Sequence, residues 1–355
     1  MALFGFGSKE MIGLDIGSSS IKLAHIKTVG KDCSVKKFGV FPLPPDAIVD
    51  GAIMDHASVI EGIKTALREL KVHEKEVATS LSGHSVIIKK VVLPTTTPEE
   101  LEESIQWEVE QYIPFDIKDV KIDFQVIGPL KEDPSKMDVL LVAVKTDLVN
   151  DYISVVKDAG LSPSIVDIDS IAAGNAFEFC HPVTDEQVPM VINVGASFMN
   201  VNILHSGVPL FTRDVPMGGG MYTSEIQKQL AVSFDAAEAL KIGTKSADDR
   251  ADKLTEIMKT VSNVLATEAQ RSYNFFSATY PDRLVTKVFL TGGAAKSRFL
   301  KEMMAEKIGV EVEMFNAFEG LSVDDRLVDP AVVAMHTTAA TVAIGLALRN
   351  LEDRR

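Results

Sequence analysis

An aspartate, a glycine and three consecutive serines, Asp15-Ile16-Gly17-Ser18-Ser19-Ser20, are residue types that can hold a polyphosphate. Apolar runs flank this polar centre on both sides within residues 11–26 (M-I-G-L-D-I-G-S-S-S-I-K-L-A-H-I), which predicts a strand, a tight hairpin turn and a second strand. Successive backbone N–H groups and three hydroxyls in such a turn can face one concavity and receive an anion. Asp15 at its mouth can hold a cation through water. An ordinary β-turn satisfies the same string, so one copy does not separate the two readings.

A second copy favours the phosphate reading. Residues 190–204 (M-V-I-N-V-G-A-S-F-M-N-V-N-I-L) align with the first stretch without a gap. Asn193 falls on Asp15, Gly195 on Gly17, Ala196 on Ser18 and Ser197 on Ser19, an offset of 178 (193 − 15). Self-similarity of this kind is a fold-level signal, and two such loops, one per half, could clamp one phosphate chain between similar domains. A third loop supports this. Residues 287–294 (K-V-F-L-T-G-G-A) read as a buried strand running into Thr291-Gly292-Gly293 and then a helix. Glycines there allow backbone to approach a flat ligand closely.

A chain of 355 residues has room for two or more domains with sizeable cores. Its composition, 46% hydrophobic and 24% charged, is that of a globular protein. A net charge of −14 argues against nucleic acid as a partner, and pairs such as Lys36-Lys37 and Lys89-Lys90 are too short to change that. Cys33 and Cys180 stand apart, which excludes a disulfide framework and fits a reducing, cytoplasmic compartment. Residues 1–7 are apolar but too short for a secretory signal. Residues 331–348, interrupted by His336 and four threonines or glycines, read as one buried helix rather than a membrane span. The seven histidines show no metal-binding spacing, so each is read as structural.

These loops need elements to position them. After the first loop the pattern gives a strand at 35–41, a breaker at 41–46, a helix at 57–70 and a strand at 77–81. The texture then changes. A strand at 85–93 is followed by a strong helix start at Thr97-Pro98-Glu99-Glu100, and that helix runs to about Ile113, where Pro114 stops it. Leu101, Ile105, Val109 and Tyr112 share one face; Glu102, Glu103 and Glu110 lie off it, as a solvated or a docking face. With strands at 122–127 and 137–144 this makes a compact β-α-β-β insertion. A helix at 148–159, a strand at 164–168 and a small-residue helix at 169–179 complete the first half, and 184–189 is a polar hinge. In the second half come a strand at 209–215, the loop Gly218-Gly219-Gly220 and a mostly helical stretch over 221–280. A strand at 288–291, a helix from about Lys296, a strand at 310–314 and the final helix close the chain.

Two phosphate loops in duplicated β-β-β-α-β-α halves, a T-G-G loop and a final helix resemble the actin-like ATPase superfamily over nearly the whole chain. The resemblance implies an α/β fold: duplicated ribonuclease-H-type domains with an inserted small α+β (SHS2-type) subdomain. The corresponding division is 1–82 with 146–185 for the first half, 83–145 for the insertion, 186–220 with 281–355 for the second half and 221–280 for a helical cleft subdomain. The position of the insertion is similar to that in the FtsA and PilM branch. E-E-L-E-E-S-I-Q-W-E-V-E-Q-Y-I-P-F (99–115), D-F-Q-V-I-G (123–128) and F-T-R-D-V-P-M-G-G-G (211–220) are closely similar to the PilM family of type IV pilus assembly proteins.

That resemblance implies ATP and Mg²⁺ as ligands and gives residues their roles. Asp15 would face the metal; Gly17, Ser18, Ser19 and Ser20 with Lys22 would bind the terminal phosphates. Asn193 opens the second phosphate loop, formed by Gly195, Ala196 and Ser197. Glu238 and Lys241 would meet the ribose, with Gly218, Gly219, Gly220, Gly292, Gly293 and Ala294 around the nucleoside. Asp169 stands where relatives orient water. Taken alone, the run Gly218–Gly220 reads as a flexible loop. Relatives that hydrolyse well keep an acid where this chain has Asn193, and an amide carries no charge to hold metal-bound water. The expectation is a nucleotide-binding scaffold with at most slow hydrolysis.

The family resemblance also implies a partner, the cytoplasmic N-terminal tail of the inner-membrane protein PilN, held between the first half and the insertion. Such capture would place the chain on the cytoplasmic side of the inner membrane, and it leaves open further partners in the pilus machine and self-association. Trp107 and Phe115 lie off the insertion's core stripe and could anchor an extended peptide, or could pack the insertion against the main body. Two other readings exist. An FtsA-like filament protein is expected to end in an amphipathic anchor, which A-L-R-N-L-E-D-R-R does not resemble. A superfamily kinase needs an acceptor site and a general base, and no further segment supplies them.

Overall fold

The computed structural model describes residues 9–130, 132–182, 184 and 186–349. The apolar stretch 1–7, Asp185 of the expected hinge, residues 350–355 and the side chain of Val109 lie outside the described residues. The first half begins with β1 (Lys9–Ile16), β2 (Ser20–Val29), β3 (Asp32–Pro42), the small hairpin β4 (Ile48–Val49) and β5 (Ala52–Ile53), α1 (His56–Leu70) and β6 (Glu76–Leu81). The insertion follows as β7 (Val86–Pro94), α2 (Pro98–Val109), β8 (Val120–Pro129) and β9 (Lys136–Lys145). The chain returns through α3 (Thr146–Asp158), β10 (Ser162–Ile168) and α4 (Asp169–Cys180). The second half holds β11 (Pro189–Val194), β12 (Met199–His205), β13 (Val208–Val215), α5 (Gly220–Leu230), α6 (Phe234–Lys241), α7 (Ala251–Thr279) and β14 (Lys287–Thr291). It closes with α8 (Leu300–Ile308), β15 (Val312–Met314), β16 (Ser322–Val323), α9 (Pro330–Met335) and α10 (Thr341–Ala347).

The two main sheets repeat one topology. The first runs β10-β6-β1-β2-β3-β16 and the second β13-β12-β11-β14-β15. In both, the first three strands form an antiparallel meander, the next strand (β6 or β14) pairs parallel to the first, and a further strand (β10 or β15) pairs parallel beyond it. The strand registers reproduce the gap-free alignment of the sequence repeat: Asp15 lies opposite Lys22, and Asn193 opposite Asn200. Both hairpins close with the same bond, Gly17 N–H to Ser20 O at 3.2 Å and Gly195 N–H to Phe198 O at 2.8 Å. This is a duplicated actin-like α/β fold.

Local chemistry explains the helix ends. Asp55 caps α1 by accepting Ser58 N–H, and Val59, Ile63 and Ala66 then face the first core. Thr97 and Glu100 form the expected capping box on α2, with Pro98 in the first turn. Between the halves lies an aromatic seam of Phe38, Phe177, Phe289, Phe315 and Phe318; the Phe177 and Phe289 ring centroids are 4.7 Å apart. It buries the sheet faces turned away from the two outer cores, so the halves share apolar surface as well as the cleft.

Three elements differ from expectation. Residues 331–348 form two short helices, not one, because the chain breaks at 336–340. The break places the Thr338 carbonyl where Gly292 N–H and the Thr291 hydroxyl both donate to it, at 3.0 and 2.9 Å. The helix expected from about Lys296 starts at Leu300, after a run of turns over 292–299. The third difference is β16, which the sequence pattern did not reveal; it leaves the second half to pair with β3. Likewise α10 packs on α4, β1, β2 and β6 of the first half, although 281–355 was assigned to the second. Among the described residues no helix is long and apolar enough to cross a membrane.

Candidate functional site

The β1–β2 and β11–β12 hairpins point at each other across a cleft of about 630 Å³, solvent mouth included. Their tips touch: the Ser197 hydroxyl donates to the Ser18 hydroxyl at 2.8 Å. Asp15, Gly17, Ser18, Ser19 and Lys22 line one wall, and Asn193, Gly195, Ala196 and Ser197 the other, with Gly292 and Gly293 between them. Ser20 stands just outside, as the first residue of β2 paired with Pro42. Opposed hairpin tips rich in hydroxyls and tight turns are suited to an extended polyanion rather than to an apolar ligand.

The charges at the first loop are few and buried. Asp15 is 6% exposed and pairs with the Lys22 ammonium at 3.1 Å. Asp169, the first residue of α4, opens on the same cleft and accepts the Ser80 hydroxyl at 2.5 Å. Burial pushes the Asp169 carboxyl up to about 7, the Asp15 charge adds to the effect, and the Ser80 bond works against both. The folded protein therefore keeps a proton on Asp169 that the unfolded chain gives up near pH 4. This group's contribution to stability falls as pH rises from about 4 through about 7. Without nucleotide or magnesium, Asp169→Asn should remove that fall and be the more stable protein at about pH 8, by up to about 4 kcal/mol. Melting curves of the two proteins across this range check it; a difference that does not grow with pH would contradict the burial argument. The Tyr152 phenol, donating to Gly51 O at 3.0 Å, is also raised, by burial first and then by Asp169 and Asp15.

The second loop is held by a relay that sequence reasoning missed. Asn193 Nδ2 donates to Asn200 Oδ1 at 2.9 Å, and Asn200 Nδ2 donates to Asp214 Oδ1 at 2.7 Å. The other Asp214 oxygen accepts Gly83 N–H at 3.2 Å, at the point where the chain enters the insertion. Burial raises the Asp214 carboxyl, opposed by the Asn200 and Gly83 bonds. Asn193 is thus tied through Asn200 on β12 to a carboxylate, Asp214, two strands away on β13. Asp at position 193 would compete with Asp214 for the single Asn200 amide group, so Asn193→Asp is not a simple restoration of charge. The ring of Phe198, at the end of the same loop, meets His84 edge-on at 5.7 Å. The legible signal was the alternation around Asp214; its partners are distant in sequence.

The remaining candidates fall into three groups. Gly292 has φ +97°, and a Cβ there would stand 2.4 Å from Val194 O and 2.5 Å from Asn193 Oδ1, so only glycine fits. Ala294 N–H donates to Val194 O at 2.9 Å behind the cleft. Gly218, Gly219 and Gly220 pack against the back of the second loop rather than lining the cleft. Gly219 and Gly220 N–H donate to Gly195 O and Ala196 O, both at 2.8 Å. Glu238 and Lys241 pair at 2.6 Å on α6 and share Thr223 of α5, away from the cleft wall. Residues that line the cleft without having been singled out include Ser82, Tyr152, Phe198, Asn200 and Ala339.

The insertion has its own core of Val91, Leu101, Ile105, Val139 and Leu141. Phe115 is half-buried against that core, under the Lys145 ammonium at 4.7 Å from the ring centroid. Trp107 is 80% exposed, so it packs neither the insertion's core nor the main body. The two aromatic candidates are thereby separated, one structural in its surroundings and one free on the surface.

Comparison with known proteins gives a consistent result. The family model described as type IV pilus assembly protein PilM matches residues 13–351. A solved PilM-PilN type IV pilus biogenesis complex contains a chain 28% identical, with a TM-score of 0.84, covering 96% of this chain and 98% of that one. The cell division protein FtsA of Neisseria meningitidis serogroup B is 23% identical over 317 residues, 82% of this chain and 75% of its own length. The ethanolamine utilization protein EutJ of Carboxydothermus hydrogenoformans shares the fold at 15% identity, with a TM-score of 0.57 over 96% of this chain and 90% of its own.

Proposed function

The chain belongs to the type IV pilus assembly protein PilM family, and from that membership we propose an ATP-binding scaffold that captures the cytoplasmic N-terminal tail of a PilN-type inner-membrane protein. The observation that carries this reading is the likeness, over 96% of the chain, to a protein solved as a PilM-PilN complex. Capture of a tail would bring a strongly acidic protein to the cytoplasmic face of the inner membrane without a lipid contact of its own. An FtsA-like filament is the weaker reading, at 23% identity against a family match over nearly the whole chain.

Trp107 is the side chain that fits tail capture best. A large aromatic ring, 80% exposed on α2, is the kind of anchor that carries much of the affinity for an extended peptide. The strands entering and leaving the insertion are joined by Lys145 N–H to Ser85 O at 3.1 Å, so its removal leaves two adjacent ends. A labelled PilN-type tail peptide should bind the wild type, bind Trp107→Ala about tenfold or more weakly, and not bind a chain lacking 83–145. Undiminished binding by a folded chain without the insertion would remove the assignment of the groove. No binding by wild type would remove the scaffold reading itself.

The cleft between the halves is assigned to Mg-ATP, and the residues present suit it. Asp15 is a buried carboxylate at the mouth of a hydroxyl-rich turn, and Lys22 supplies a cation beside it. Asp15 would face Mg²⁺; Gly17, Ser18 and Ser19 with Lys22, and Gly195–Ser197 opposite, would hold the phosphates; Gly293, with nothing within 4 Å of an ideal Cβ, leaves room for the nucleoside. Bound Mg-ATP supplies a polyanion and its counter-ion that both hairpins can grip at once. Burial raises the Asp169 carboxyl to about 7, so it gains and loses its proton around neutral pH. An amide at position 193, engaged with Asn200, favours holding the nucleotide over rapid turnover.

A further inference from the structure

At the end of the first sheet remote from the cleft, β2 breaks its own pattern. Ile21 and Leu23 face the first-half core, and Ala24 and Ile26 face the seam between the halves. His25 takes the next position on the core face and is only 4% exposed. Two carboxylates meet its ring. Glu10 Oε2 on β1 is 3.1 Å from Nε2, and Glu74 Oε2, in the connection between α1 and β6, is 3.8 Å from Nδ1. One ligand atom from each of the three residues lies within 4.8 Å of the other two.

The ring nitrogen supplies the second observation. Nε2 is buried without a hydrogen bond, although a carboxylate oxygen stands 3.1 Å away. The oxygen is within reach but out of line with the N–H direction. Glu10 Oε2 and His25 Nε2 stand as two donors to one ion do, while Glu74 Oε2 lies nearer Nδ1 but within the 4.8 Å that spans all three ligand atoms. Nitrogen and oxygen each bind a zinc-class ion at about 2.0–2.2 Å, which sets neighbouring donors about 3–3.5 Å apart. Both carboxylates are also held from outside: Lys27 Nζ is 3.1 Å from the other Glu10 oxygen, and His73 N–H donates to Glu74 Oε2 at 3.1 Å. Outer partners of this kind orient metal ligands. An imidazole donor with two carboxylates suits zinc and its neighbours better than Mg²⁺ or Ca²⁺, which take oxygen.

We propose that Glu10, His25 and Glu74 form a binding site for a divalent ion of the zinc class, completed by water. The ion would tie β1, β2 and the α1–β6 connection together at the end of the sheet opposite the hairpin, so the site is independent of the nucleotide assignment. The test is a calorimetric titration of the chelator-treated full chain with Zn²⁺, beside His25→Gln and Glu74→Gln. Glu74 is half exposed at its side chain, so that variant keeps the fold even if loss of the buried imidazole does not. One Zn²⁺ per chain, bound tenfold or more weakly by Glu74→Gln and not displaced by excess Mg²⁺, is the expected result. Absence of stoichiometric binding, affinity unchanged in Glu74→Gln, or ready displacement by Mg²⁺ would each overturn the proposal.

Discussion

Gly345→Val should leave no stably folded protein. The substitution is aimed at a very tight approach, where α10 lies on α4. A Cβ at Gly345 would stand 1.8 Å from Ala172 O and 2.6 Å from Ala172 C, both backbone atoms that have no free rotamer to yield. On the adjoining face Gly13 of β1 meets Ala343 O in the same way, at 1.9 Å from an ideal Cβ. All seven residues of α10 are buried, so neither neighbour can move away without opening the seam that includes Ala172, Ala173, Val342 and Leu346. Overpacking and a forced helix separation together should exceed about 4 kcal/mol, a large part of the 5–15 kcal/mol that holds a typical domain. Gly293→Ala is the control, since nothing lies within 4 Å of its ideal Cβ. Soluble yield and circular dichroism melts check the pair. A Gly345→Val protein that melts with the wild type would mean that α10 is not clamped as described.

Part of this was legible without the structure. The small residues at Ala172, Ala173 and Ala176 mark a helix that accepts a close neighbour, but nothing local names the neighbour. The repeat at an offset of 178 was fully legible because a hairpin's register is written in its own alternation, and the structure pairs Asp15 with Lys22 as it pairs Asn193 with Asn200. The final segment was misread for the opposite reason. Residues 331–348 are mostly apolar apart from His336 and four threonines or glycines, and the tertiary demand for the Thr338 carbonyl at Thr291 and Gly292 overrides local helix preference.

Long-range polar partners were the least legible. Asp214 has the sequence of an ordinary strand residue; only the meander brings it opposite Asn200 and within reach of Gly83, 131 positions away. Such bonds depend on topology rather than on periodicity. Two-residue strands such as β16 carry too little pattern to be seen. Spacing could not show that Glu10 and Glu74 meet His25, since they reach it from other elements. Its one visible signal was a polar residue at a core-facing position of β2.

The central claim is that two copies of one hairpin grip one nucleotide, and thermal melts with and without Mg-ATP test it most directly. Asp15 is the residue to change. It is buried, it is paired with Lys22 at 3.1 Å, and it lies at the mouth of the turn whose Ser18 meets Ser197 of the second copy. Asp15→Ala removes the carboxylate that would face the metal and leaves the Lys22 ammonium without its counter-charge. At about 100 times its dissociation constant a ligand adds roughly 2.7 kcal/mol of stability. Wild type should therefore melt measurably higher with Mg-ATP, and Asp15→Ala should show little or none of that gain. An unchanged wild-type melt at saturating Mg-ATP, or an equal rise in Asp15→Ala, would contradict the claim.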